Sequence, residues 1–389
     1  MAKMTEELKT LRSANMLDDF VIEQFRGLKD LSFRQLGMVN LLVGGNNSGK
    51  TSVLEALAVF SSPLDIGAWS SIARNREVRS MPAVVHRGLS AVEAVRWLFP
   101  QSANETGLNA AEISQSHFQL GCAGRWPVQE LRAQCVSIRG IPPEPPRRSN
   151  KETTGNSGLV EDQGWLVSAR IAPGQDLSAM DSVEAQLWPS LGFYRGENRT
   201  GPRLPSVTLA PYSHRSQPLQ LRQFSELIEG NEKLAPIEIL RVLDPDVLDL
   251  QIVTDKHTGT PTILVKHRRS GGVPMSVLGD GFRRALAIAL SIPQARGGIL
   301  LIDEIETALH VSFLQKLFSW LVGACETFDV QLFATTHSLE AVTAMVNATP
   351  LTSHVGITTF QLGRLGEPAK RYSSEMLTRL VRDRGLDIR

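Results

Sequence analysis

Eight consecutive residues, Gly44-Gly45-Asn46-Asn47-Ser48-Gly49-Lys50-Thr51, fit the pattern G-x-x-x-x-G-K-[ST] without a mismatch. Glycines let backbone N–H groups converge on an anion, and a helix starting at the lysine adds the positive end of its dipole. Lys50 is placed to reach the outer phosphates of a nucleoside triphosphate. The Thr51 hydroxyl is a hard oxygen suited to Mg2+, and Ser52 extends the same first turn. A second group, Asp303-Glu304, closes the aliphatic run Ile299-Leu300-Leu301-Ile302. Asp303 at the end of a buried strand can hold the ion's water shell, and Glu304 can polarise an attacking water. The expected cofactors are ATP and Mg2+.

These side chains need elements to hold them. Met38 to Val43 reads as a short apolar strand leading into the glycines, and Val53, Leu54, Leu57, Ala58 and Phe60 as the buried face of the helix that follows. Residues 19–33 read as two strands around Gly27. Further strands are expected at 117–122, 130–138 and 165–171, with a Pro/Ser/Gly-rich mobile surface loop near 141–158. Beyond residue 204 the pattern predicts helices at 219–229 and 235–242, then strands at 248–254 and 261–267. A helix at 282–292 leads into strand 299–302. Helix 311–324, strand 330–335, helix 338–346 and strand 355–361 then alternate as in a doubly wound parallel sheet.

Other motifs narrow the class. Asp303-Glu304-Ile305-Glu306-Thr307-Ala308-Leu309-His310 resembles the Walker B and D-loop run of ABC-type ATPases, Asp-Glu-x-x-Ser-Ala-Leu-Asp. Phe333-Ala334-Thr335-Thr336-His337-Ser338 resembles the strand end that carries their switch histidine, here His337. Ser276-Val277-Leu278-Gly279-Asp280-Gly281 stands where their signature lies, with Gly279 in place of its serine and His310 in place of the D-loop aspartate. With the opening Phe25-Arg26-Gly27-Leu28-Lys29-Asp30, the chain resembles the AAA15/AAA21 branch, which includes the ATPase domains of OLD-family nucleases and relatives of SMC and recombination-repair ATPases. The likeness covers roughly residues 19–60 and 205–346.

That resemblance implies an α/β fold, an ABC-type P-loop ATPase with a parallel core sheet, an antiparallel β subdomain and an inserted α/β region. The expected organisation is residues 1–60 as the N-terminal part of the ATPase domain, 61–204 as an insertion and 205–389 as its C-terminal part. It implies a composite site in a homodimer or higher even oligomer. One subunit brings Gly44–Thr51, Asp303, Glu304 and His337, and its partner caps the γ-phosphate with Ser276 and Gly279–Gly281. OLD-family nucleases follow the ATPase with a TOPRIM domain, and the 51 residues after Ser338 leave no room for one, so any nuclease or toxin is expected as a separately encoded effector, in antiphage defence. The alternative is a DNA-binding repair or SMC-like ATPase, which keeps nucleic acid open as a partner. A scaffold with almost no turnover is a third reading, and Glu304 speaks against it.

Composition constrains the rest. Lys and Arg total 41 against 40 Asp and Glu, a net charge of +1 that excludes a uniformly basic coat or an acidic tail. Three cysteines make no disulfide framework. The polar N-terminus resembles neither a secretory signal nor a transit peptide, so a cytoplasmic protein without membrane contact is expected. Arg283 and Arg284 read as solvated helix-face charges, Asp244-Pro245-Asp246 as a turn, and Lys266–Arg269 as a polar hairpin end.

Overall fold

The computed structural model describes residues 15–74, 91–101, 115–142, 161–173, 181–189, 192–193, 201–215, 217–254, 259–348, 357–364 and 366–380. The greater part of the expected loop at 141–158 lies outside them. In chain order the elements begin with β1 (Asp19–Phe25), β2 (Leu28–Phe33), β3 (Val39–Gly44), α1 (Lys50–Ser61), α2 (Ile66–Arg74) and α3 (Ala91–Arg96). Next come β4 (Gln115–Ala123), β5 (Val128–Gly140), β6 (Asp162–Pro173), β7 (Ser182–Trp188), β8 (Gly192–Phe193) and β9 (Ser206–Leu209). Then follow α4 (Gln217–Glu229), α5 (Leu234–Leu243), β10 (Val247–Thr254), β11 (Pro261–His267), β12 (Gly271–Pro274) and α6 (Asp280–Gln294). The chain continues with β13 (Ile299–Ile302), α7 (Val311–Phe328), β14 (Gln331–Thr335), α8 (Leu339–Ala348), β15 (Ile357–Leu362), β16 (Lys370–Ser373) and α9 (Ser374–Thr378). Two compact units form, one from Met1–Asp19, Phe33–Leu54 and Leu204–Arg389, the other from Phe20–Ser32 and Glu55–Arg203.

The first unit is built on a six-stranded sheet of order β16-β15-β3-β14-β13-β9. All of its pairs are parallel except β15–β16 at the edge. Every residue of β3, β13 and β14 is buried, as expected of parallel strands covered on both faces. This is why Ile299–Ile302 could be read as a strand from four aliphatics alone. β9, not anticipated from sequence, pairs residue for residue with it, Ser206 beside Ile299 and Leu209 beside Ile302. The turn before β13 permits only glycine at 298, where a Cβ would lie 1.9 Å from the Pro205 carbonyl oxygen. A separate antiparallel sheet, β10-β11-β12, completes this unit.

Local chemistry sets the helix ends. His310 caps α7 by accepting from the Ser312 N–H, and Asp329, at φ 52°, ends it in the left-handed conformation. Asp280 opens α6, where its negative charge suits the helix dipole.

The second unit holds a seven-stranded sheet of order β2-β1-β4-β5-β6-β7-β8, antiparallel from β4 to β8. Its core is aromatic. Phe118 meets Phe25 edge to face at 5.3 Å, Trp69 at 5.5 Å and Phe99 at 4.9 Å between ring centroids. Burial of such a side chain stabilises by about 1.5–3 kcal/mol. Strands β4, β5 and β6 contain the expected strands at 117–122, 130–138 and 165–171 and run past them at both ends, and β7 and β8 are additional.

Cys122, Cys135 and Cys325 form no disulfide. Burial pushes the Cys325 thiol up to about 12, which leaves it unreactive. Among the described residues no helix is long and apolar enough to cross a membrane.

Candidate functional site: a phosphate loop facing an acidic strand end

β3 delivers the chain into the phosphate loop and α1 carries it away. Gly44 has φ 144°, and a Cβ there would come 2.4 Å from the Leu362 carbonyl oxygen, so the turn needs glycine twice over. Asn47 at φ 62° and Gly49 at φ 91° complete the curl. The Lys50 amine folds back over the loop and donates to the carbonyls of Gly44 (2.6 Å) and Gly45 (2.8 Å) and to Ser48 Oγ (3.3 Å). Burial lowers its pKa from the ordinary lysine value, opposed by the negative charges of Asp303, Glu306 and Glu304. The loop is thus tied in shape by the same amine that would meet a phosphate.

The acids lie opposite. Thr51 Oγ1 donates to Asp303, 3.2 Å from Oδ1 and 3.1 Å from Oδ2. Thr335, the last residue of β14, donates from Oγ1 to Asp303 Oδ1 at 2.7 Å and accepts the Glu304 N–H at 2.8 Å. Glu304 sits at φ 47°, a left-handed conformation that costs a non-glycine residue about 1–3 kcal/mol. Its Oε2 accepts from Thr307 Oγ1 at 3.0 Å. The His337 N–H donates to Glu306 Oε1 at 2.9 Å, while Glu306 Oε2 is buried with no hydrogen-bond partner among the described residues.

Arg284 overturns its sequence reading. It is fully buried, not solvated, and its guanidinium donates to the carbonyl oxygens of Ala210 (2.7 Å), Asp303 (3.0 Å) and Glu304 (3.2 Å). Burial lowers its pKa to about 10, against the pull of the three nearby acids, so it remains charged at neutral pH. The physical reason is that α6 is buried on every side from Arg284 to Ile292, so no position in that stretch faces solvent. The apolar run that follows it, Ala285 to Ile292, was the signal available in the sequence. Arg283, one position round the helix, pairs with Asp280 at 2.5 Å.

The signature residues form a second group in the same unit. Ser276 lies in the 3-10 turn Met275–Val277, and Gly279 precedes α6 with no atom within 4 Å of where its Cβ would be. At Gly281 a Cβ would come 2.8 Å from the Ala308 carbonyl oxygen, so signature and D-loop are neighbours. The Asp280 carboxylate is engaged by Arg215 at 2.9 Å, whose hydrogen bond holds its pKa below the ordinary value. Any ligand contact at Asp280 therefore falls to its backbone N–H. The structure thus joins Thr51 to Asp303 directly and Glu304 to them through Thr335, sets Lys50 within the electrostatic influence of Asp303, Glu304 and Glu306, ties the His337 N–H to Glu306, and gathers Ser276 and Gly279–Gly281 apart. Thr335, Glu306 and Arg284 are the members that sequence reading left without a role.

Asp244-Pro245-Asp246 is the turn expected of it. The Asp246 N–H donates to Asp244 Oδ1 at 3.0 Å, and the two carboxylates pair with His267 (3.1 Å) and Arg269 (2.5 Å) at the β11–β12 hairpin.

A phosphate loop between parallel strands, facing an Asp-Glu strand end, with a signature turn against a D-loop, defines an ABC-type P-loop ATPase. The chain belongs to the family described as "AAA domain, putative AbiEii toxin, Type IV TA system", which matches residues 145–343, and residues 16–84 match the "AAA ATPase domain" family. An ATP/GTP phosphatase of Helicobacter pylori is 20% identical over 359 residues, 84% of this chain and 86% of that protein. Uncharacterized protein MJECL10 of Methanocaldococcus jannaschii is 30% identical over 105 residues, 27% of this chain and 45% of that protein. Uncharacterized protein MJECL11 of the same organism is 42% identical over 65 residues, 17% of this chain and 57% of that protein. The chain thus spans about half the length of these two relatives. Among solved structures, an SMC head bound to the C-winged helix domain of ScpA is similar at 12% identity and TM-score 0.46, covering 92% of this chain and 98% of that one. The SMC head with an extended coiled coil from Pyrococcus furiosus gives 11% identity and TM-score 0.43, covering 95% and 99%.

Proposed function

We propose that this chain hydrolyses ATP with Mg2+ at a site completed by a second copy of itself, and that the ATP cycle regulates a separately encoded effector in cytoplasmic antiphage defence. The observation that carries the catalytic part is the hydrogen-bonded run Thr51–Asp303–Thr335–Glu304 beside Lys50. Thr51 and Asp303 supply a hydroxyl and a carboxylate, the hard oxygen donors that suit Mg2+, so the residues fit the ion. Bound there, it would neutralise charge on the phosphate oxygens. Lys50 would exchange its loop carbonyls for the β- and γ-phosphate oxygens. Glu304 takes a proton from the attacking water as its oxygen bonds to the γ-phosphorus and the bond to the leaving ADP oxygen breaks. His337 lies beside Glu306 at the γ-phosphate end.

The partner's role is supported by exposure. Val277 and Val311, large apolar side chains beside the signature and the D-loop, are 73% and 55% exposed. A second copy closing on that face would cover them and aim the amides of Gly279–Gly281 at the γ-phosphate. The effector reading draws on the family's description, which names a toxin and a type IV toxin–antitoxin system.

The test is Glu304→Gln. It keeps the Thr307 hydrogen bond but cannot take the proton. Turnover should fall by about 10²-fold or more while ATP holds a dimer visible by light scattering. Unchanged turnover would remove Glu304 from the chemistry.

A further inference from the structure

Resting on the reading that a second copy completes the site, we infer that Arg215 is a further catalytic residue, a cation that one chain supplies to the γ-phosphate held by the other. Arg215 ends the 3-10 turn Ser213–Arg215 after β9, outside the motifs recognised in the sequence.

The capping turn itself brings no positive side chain. Gly279 and Gly281 have none at all, and the one side chain between them is the Asp280 carboxylate. The turn therefore offers a γ-phosphate only neutral amide donors. A guanidinium adds charge and matches phosphate oxygens with parallel N–H groups. Arg215 is in place to do so. It donates to Asp280 Oδ2 at 2.9 Å, and its side chain is 67% exposed against 22% for Arg283.

Two features let the side chain exchange partners. Asp280 has two guanidinium neighbours, Arg215 on Oδ2 and Arg283 on Oδ1 at 2.5 Å. When Arg215 turns to a phosphate, Arg283 keeps the carboxylate paired, so the exchange strands no charge. The backbone beneath it is anchored. The Ala210 N–H donates to Ser213 Oγ at 2.9 Å, the Arg215 N–H to the Tyr212 carbonyl at 3.0 Å, and Arg284 to the Ala210 carbonyl at 2.7 Å. Only the side chain has to swing. Until the partner's nucleotide arrives, Asp280 holds the guanidinium beside the signature amides by the same oxygen chemistry. As water bonds to the γ-phosphorus, Arg215 donates to the γ-phosphate oxygens and stabilises their charge, and no proton leaves it.

The experiment measures ATP turnover of the full chain for Arg215→Ala, Arg215→Lys, Asp280→Ala and Glu304→Gln, and for an equal mixture of Arg215→Ala with Glu304→Gln. Arg215→Ala should lose about 10²-fold or more in kcat, and Arg215→Lys, which keeps the charge but not the fork, should recover part of it. The mixture should turn over at least ~10-fold faster than either variant alone, because a mixed dimer has one site with Glu304 from one chain and Arg215 from the other. Asp280→Ala breaks the same ion pair yet keeps the guanidinium, so it should stay at least ~10-fold faster than Arg215→Ala. Full activity of Arg215→Ala, a mixture without rescue, or an equally deep loss in Asp280→Ala would each overturn the assignment. A Glu304→Gln protein that stays monomeric with ATP in light scattering would bring down the shared-site reading itself.

Discussion

Thr335 and Asp303, at the ends of adjacent parallel strands, share a 2.7 Å hydrogen bond, and the same threonine oxygen receives the backbone N–H of Glu304. One hydroxyl therefore orients the proposed metal-binding carboxylate and holds the next residue in its strained left-handed turn. Thr335 is fully buried, so removing the hydroxyl takes the acceptor from the Glu304 N–H and one donor from Asp303, which keeps its hydrogen bond from Thr51.

Thr335→Val keeps the shape and deletes the oxygen. It should cost about 1–3 kcal/mol of stability and lower kcat by ~10-fold or more, with a smaller change in KM. Thr335→Ser should recover most of the activity. Denaturant melts with steady-state phosphate release measure both. A Val variant as active as wild type would leave the hydroxyl a purely structural role.

Arg284 joins the signature helix to the Walker B turn through the carbonyls of Asp303 and Glu304 and to the end of β9 through that of Ala210. Arg284→Met removes a charged donor from all three, while Ala210 and Glu304 keep the Ser213 and Thr307 N–H groups, and should destabilise the fold by about 1–3 kcal/mol. Arg284→Lys keeps the charge but not the planar fork, so it should recover only part of the loss. Chemical denaturation of the three proteins decides it. Equal stability of Met and wild type would show that the carbonyls need no charged donor.

A shared site can be tested by mixing variants, and the structure chooses the position. Gly281→Trp would drive its Cβ into the Ala308 carbonyl of its own chain, whereas Gly279 has open space and an ordinary φ of −60°. Gly279→Trp should therefore keep its melting temperature and nucleotide affinity while losing turnover. Lys50→Ala should lose binding and turnover. Mixed with subunit exchange, the two should regain up to about half the wild-type rate, because one heterodimer site is free of both defects, and less if the sites fire together. Full activity of Gly279→Trp alone would refute completion by a partner.

Much of this protein is written locally. The phosphate loop is contiguous, Asp303-Glu304 follows directly on its strand, and short, mostly apolar runs marked β3, β13 and β14, because a parallel strand buried on both faces reads as a run and not as an alternation. Tertiary structure alone decided what joins them. Thr335 gains its role only because β13 and β14 run side by side in register, Ile302 opposite Ala334, across 32 residues of chain. The short β9 is a strand because β13 offers it a ladder, and four residues have too weak a pattern to announce that themselves. Arg284 looked like a surface charge because side-chain type dominates its reading. Burial was tolerable only where three backbone carbonyls converge, and a distant turn and a strand end supply those.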